Sequence, residues 1–189
     1  ARARQVDCSQ VAGAGVGWGW WGDGAAGGGF VSLAGEAETI VRKVRMLAIQ
    51  NGQLLPSLSL DSLRLAQGAG AIVVKTSDAS GETAGMQGQV VSIKVGSVEV
   101  PTTASGELWM HYTRPRAERI IPAWKVLSDA LTPEQLTETF SGRIVFVGAG
   151  AIGLRDLIST PLQDRDLGGL VHAQAVEQMI IGRFLIRTD

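Results

Sequence analysis

The stretch RIVFVGAGAIGLRD, Arg143 to Asp156, constrains the fold more than any other part of the chain. Ile144 to Val147 is a β-branched, apolar run, the pattern of a strand buried in a parallel sheet. Gly148, Gly150 and Gly153 follow in G-x-G-x-x-G spacing. Glycines so placed let the backbone turn tightly and approach a ligand closely, and a helix amino terminus behind them attracts anions. The surroundings do not complete a dinucleotide site. Such a unit needs a crossover helix, a second parallel strand and an acidic residue about 20 residues on. Here Pro161 and the pair Gly168-Gly169 interrupt a long helix, and no β-branched run follows before His172. Asp164 and Asp166 end no expected strand. The glycines therefore read as a strand-to-loop turn. A dinucleotide-binding oxidoreductase fragment using Gly148 to Gly153 is the alternative.

The chain has 189 residues, enough to bury a core in one domain. Its formal net charge is -1, and the basic residues come in ones and twos, so no nucleic-acid partner is expected. The apolar runs are too short to span a bilayer, and no charged start with an apolar middle marks a secretory signal. Cys8 is the single cysteine and excludes an internal disulfide. It lacks the His and Asn/Asp setting of a nucleophile and reads as a passive thiol. His111 and His172 are the only histidines, so neither a zinc site nor another cofactor is expected. No carboxylate pair, Ser-His-Asp arrangement or lysine-bearing phosphate loop points to catalysis.

Residues 1–29 form a poorly defined segment rich in Gly, with Trp18, Trp20 and Trp21 close together. Its tryptophans either pack on the domain or offer a platform for stacking a ligand. The domain proper is expected over residues 30–189. FVSL from Phe30 and IVRKVRMLAI from Ile40 read as strands, with the basic residues of the second on its wet side. Asn51-Gly52 is a turn, LPSLSLDSLRLAQG from Leu55 contains a helix ended by Gly68, and AIVVK from Ala71 reads as a buried strand. After a loop over 77–88, QVVSIKV, VEVP and ELWMHYT suggest a meander turning at Gly96-Ser97 and Ser105-Gly106. Ile121 to Ala130 and the segment opened by the capping box Thr132-Pro133-Glu134-Gln135 are helices. A last amphipathic helix runs from His172 to Ile181 and ends at Gly182, with Phe184 to Ile186 an apolar patch beyond it. The expected fold class is α/β: a mixed, largely parallel sheet flanked by helices, with an antiparallel hairpin or meander section.

Several of these pieces follow an order that resembles the type-2 CHASE domain, a sensory module of bacterial receptors. After the strand come Gly153, Leu154 and Asp156, then Thr160-Pro161, Gly169, His172-Ala173 and GRFL from Gly182. Upstream, ELWMHYTRP, LLPSLSL and IVRKV resemble the family's corresponding segments. Gly168 and Val171 stand where the family usually has a proline and a glutamate, and Glu38-Thr39 replaces an Asp-Gly turn. The family's opening strand and Trp-Pro segment are not recognisable before Phe30. The resemblance implies a non-catalytic, extracytoplasmic sensor at the periplasmic face of the bacterial inner membrane. It further implies flanking transmembrane helices, the first starting just after GRFLIR, and a cytoplasmic output domain, most commonly an adenylate or guanylate cyclase. A small-molecule or protein signal and a homodimer are the partners it suggests.

Asp156, Arg155, Thr160 and His172 follow the organising strand at what would be its carboxyl end, where open α/β sheets bind ligands. They are the ligand-binding candidates. Arg155 suits an anionic ligand, although a solvated arginine fits the sequence equally. Asp156 also suits an Asx turn. His172 at a helix start is expected to be neutral, serving as a pH or ligand contact or bonding backbone. Arg114 and Arg116 beside Pro115 are candidates for partner contact.

Overall fold

The computed structural model describes residues 25–33, 40–77, 88–114, 116–150 and 157–186. The Gly/Trp-rich start, Cys8, most of the loop before Gly88, Pro115, Arg155 and Asp156 lie outside the described residues.

The segment from Ile40 forms β1 (Lys43–Arg45) and β2 (Leu47–Gln50), which pair with different partners. β1 runs antiparallel to β7 (Glu107–Trp109), with Val44 opposite Leu108. β2 forms a hairpin with β3 (Gln53–Pro56). Met46, fully buried, is the switch point: its N–H donates to Gly106 O at 3.0 Å and its carbonyl accepts from Ser57 N–H at 2.8 Å. The hairpin turns on Asn51 and Gly52, with φ of 50° and 76°. Two positive φ values match the twist of flanking strands, and Asn-Gly tolerates them.

Helix α1 (Leu58–Ala66) starts at Ser57, whose hydroxyl accepts the Leu60 N–H at 3.2 Å, and ends before Gly68 at φ 61°. Leu60 and Leu63 are its buried leucines, while Leu65 is exposed and Leu54 and Leu55 belong to β3. β4 (Ile72–Thr76), β5 (Val90–Val95) and β6 (Val98–Pro101) make an antiparallel sheet. The run AIVVK is thus no fully buried strand. Among the described residues β4 pairs on one side alone, and it exposes Val73, as an edge strand facing water does. The expected meander is also corrected at its end, because β7 leaves β6 and pairs with β1.

A 3₁₀ turn (Ala117–Arg119), α2 (Ala123–Leu127) and α3 (Pro133–Phe140) follow. The Thr132 capping box forms as read: Thr132 N–H donates to Gln135 Oε1 at 2.9 Å and Gln135 N–H to Thr132 Oγ1 at 3.3 Å. The short pair β8 (Leu157–Ile158) and β9 (Asp166–Leu167) leads straight into α4 (Gly168–Ile181). Gly168 and Gly169 do not break this helix but form its first turn. Glycine costs a helix about 0.5–1 kcal/mol relative to Ala, and burial of Val171, Ala175, Val176 and Met179 offsets that. Gly182, at φ 72°, ends the helix as expected.

The core lies where α1 and α4 pack together over the strands, closed by Val44, Met46, Ile93, Val95, Val100 and Leu108. Two sequence expectations fail here. Every described sheet is antiparallel, and parallel pairing is confined to the isolated bridges Phe30 with Ser57 and Ile40 with Ser159, so a largely parallel sheet is not formed. Ile144 to Val147 belongs to no sheet either. Only Phe146 packs on the core, and Val147 is 93% exposed. A β-branched run becomes a strand only when its backbone finds a partner, and this run has none among the described residues. The strand-turn-helix geometry of a dinucleotide site is therefore missing as far as Gly150.

Candidate functional site

Helix α4 gathers polar connections from four parts of the chain. On its inner face His172 sits one turn inside the helix, 2% exposed. Its Nε2 lies 3.1 Å from Val31 O, and its Nδ1 lies 2.7 Å from Ser59 Oγ on α1. A carbonyl can only accept, so Nε2 donates to Val31 O, while Nδ1 and the Ser59 hydroxyl share a hydrogen bond in which either atom can be the donor. The ring joins residues 25–33, α1 and α4. Those leading residues are fixed further by Phe30, 3% exposed, whose backbone exchanges bonds with Pro56 and Leu58.

A second face of α4 presents Gln174, Glu177 and Gln178, whose spacing puts them side by side. The Gln178 amide, 4% exposed, donates to Trp109 O and accepts from His111 N–H, both at 2.8 Å. Gln174 Oε1 accepts from Thr113 N–H at 3.0 Å. Two glutamines thus satisfy the backbone of the extended segment after β7, as a neighbouring strand would. Glu177 accepts from Arg119 Nη1 at 2.8 Å, tying the 3₁₀ turn to the same face. That bond to Arg119 holds the Glu177 carboxyl below its ordinary range.

The sequence candidates fall into two groups. Thr160 and His172 are both buried. Thr160 closes the turn between β8 and β9, its Oγ1 accepting from Gln163 N–H at 3.1 Å. Asp166, buried nearby, accepts from Leu167 N–H at 2.9 Å. Burial, and then the Asp166 charge, push the Tyr112 hydroxyl above its usual range, and that hydroxyl donates to Val41 O at 2.8 Å. Arg155 and Asp156 lie outside the described residues. Arg114 and Arg116 are exposed, as their sequence suggests.

Sequence reasoning missed the glutamine contacts and a cleft of about 390 Å³ between the 3₁₀ turn, α2 and α3. Ile120, Ile121 and Leu131 give its lining apolar surface, and Glu118, Lys125, Glu138 and Arg143 give it charge. None of these four charged side chains is in an ion pair with another described residue. Arg143 Nη2 donates to Glu138 O at 3.4 Å, which places it at the end of α3. Among the described residues, no His, Cys, Asp and Glu cluster could hold a metal ion, and no helix is long and apolar enough to cross a membrane.

No curated protein and no solved structure matches the chain. A family model does, the CHASE2 domain, over residues 3–189. It agrees with the resemblance carried by Thr160-Pro161, His172-Ala173 and GRFL, and the chain accordingly belongs to the CHASE2 family of extracytoplasmic, non-catalytic sensory domains.

Proposed function

We propose that this domain is the periplasmic sensor of a transmembrane receptor in the bacterial inner membrane, and that α4 passes its signal to a cytoplasmic adenylate or guanylate cyclase. The observation that carries this reading is the wiring of α4. One helix is bonded to residues 25–33, to α1, to the end of β7 and the segment after it, and to the 3₁₀ turn. A small molecule or protein that favours one arrangement of any of these elements shifts the position of α4. Cyclase output favours two copies of the chain, so the receptor works as a homodimer. Arg155 and Asp156 remain candidate ligand contacts on sequence grounds, while Thr160 and His172 hold the turn and helix that a signal must move.

The full-length receptor in its own membrane tests this. Val73→Cys, on an exposed strand edge and in a Cys8→Ser background, is expected to react with a membrane-impermeant maleimide in intact cells. Isolated membranes are expected to make a cyclic nucleotide at a rate altered by Gln178→Ala. Labelling only after lysis, or no cyclic nucleotide from ATP or GTP, would overturn the reading.

A further inference from the structure

We infer that the cleft between the 3₁₀ turn, α2 and α3 binds a small zwitterion with an apolar body, of the free amino acid class. The inference rests on the sensor reading for its purpose and on the cleft for its chemistry. The cleft is open to solvent, and its volume of about 390 Å³ admits a small molecule. The lining combines three features that a zwitterion of this class requires. Lys125 and Arg143 supply cationic groups for a carboxylate, and the Arg143 guanidinium is held beside the end of α3. Glu118 and Glu138 supply acceptors for an ammonium group. Ile120, Ile121 and Leu131 offer apolar surface to the side chain between the two charged ends.

The charges themselves argue for a ligand with both signs. Four charged side chains share one cleft, two of each sign, yet none is paired with another. All four side chains are exposed, and a ligand carrying both signs can engage a cation and a carboxylate of the cleft at once. A zwitterion meets both.

The cleft also has a route to α4. Glu118, in the lining, is followed by Arg119, and the Arg119 guanidinium bonds Glu177 on α4 at 2.8 Å. An ammonium group drawn to Glu118 repositions the 3₁₀ turn and so acts on the bond that joins it to α4. Arg119 is a positioning residue here, outside the cleft lining.

The test uses the 189-residue chain and the twenty free amino acids as probes, titrated calorimetrically at up to millimolar concentration. At least one apolar amino acid is expected to bind saturably. Arg143→Gln and Glu118→Gln should each weaken it about tenfold or more, as the loss of a charge-assisted contact does. Leucine serves as the reference body: N-acetyl-leucine and leucinamide, each lacking one charge, should bind more weakly than leucine itself. Amide exchange along α4 should change on binding, and Arg119→Gln should abolish that change while leaving binding intact. The inference is overturned if no amino acid binds, or if binding survives Arg143→Gln combined with Glu118→Gln. It is also overturned if the blocked leucines bind as well as leucine. Absence of amino acid binding would leave the maleimide and cyclase tests of the receptor untouched, so the two failures are distinguishable.

Discussion

The helices α1 and α4 live in an environment opposite to that of α2 and α3, although α4 opens on two glycines that disfavour a helix. α1 buries Ser59, Leu60, Asp61 and Leu63, and α4 buries seven residues, among them Val171, His172 and Gln178. α2 and α3 bury none, and Trp124 and Leu127 of α2 stand 60% and 82% exposed. Helices this short are marginal on propensity alone, and in proteins packing supplies most of their stability. The first pair therefore carries the fold, and the second pair is free to carry contacts whose loss the fold survives. That is a reasonable division of labour for a sensor, whose responsive parts come from the low-stability end of the structure.

The sharpest way to break the comparison is to truncate one large side chain in each region. Leu60→Ala and Met179→Ala remove fully buried side chains from the core and should each cost about 2–5 kcal/mol in urea unfolding. Leu127→Ala should change stability by no more than about 0.5 kcal/mol, because it leaves no cavity. Equal losses at Leu127 and Leu60 would show that α2 belongs to the same cooperative unit as the core.

The glutamine contact of α4 comes next in size. Gln178→Ala removes the partner of Trp109 O and His111 N–H at a partly buried position, a loss of about 1 kcal/mol. Gln178→Glu keeps the acceptor for His111 but loses the donor, so it should fall between wild type and Gln178→Ala. Hydrogen exchange at His111 reports the contact directly. Unchanged exchange in Gln178→Ala would mean that the segment after β7 holds its position without α4.

How far the sequence announced these two regions follows from the range of the interactions involved. Local chemistry was legible: the Asn51-Gly52 turn, the Gly68 and Gly182 helix ends and the Thr132 box depend on residues within a few positions of one another. Strand partners were not. β7 carries the same alternation whether it pairs with β6 or β1, and IVFV at Ile144 reads as a buried strand whether or not a neighbour meets it. Burial of His172 was half legible. Its position near the start of a helix was readable, but its bonds to Ser59 and Val31 span 113 and 141 residues. The cleft left no sequence signal, because its charges come singly from four places between Glu118 and Arg143.

Thr132→Ala probes the weaker region alone. Loss of a helix cap costs about 1 kcal/mol, and here it should appear as faster exchange over Pro133–Phe140 with global unfolding nearly unmoved. A global loss of the same size would again join α3 to the core.

The smallest effect lies on the seam between the regions, where Arg119 meets Glu177. The folded state lowers the Glu177 pKa from 4.5, mainly through the Arg119 hydrogen bond. A lowered carboxylate pKa adds stability that is fully present above the unfolded value and fades as pH falls through the folded one. The pair is partly exposed, so its contribution should be a few tenths of a kcal/mol, about the worth of a surface ion pair. Wild type and Arg119→Gln should therefore differ slightly in thermal midpoint at neutral pH and converge once the pH is well below 4.5. Added salt should narrow the gap at neutral pH, because exposed charges are screened. A gap that persists in acid would assign the role of Arg119 to packing of its side-chain stem, and the seam would then be an apolar contact with no electrostatic part in joining the cleft to α4.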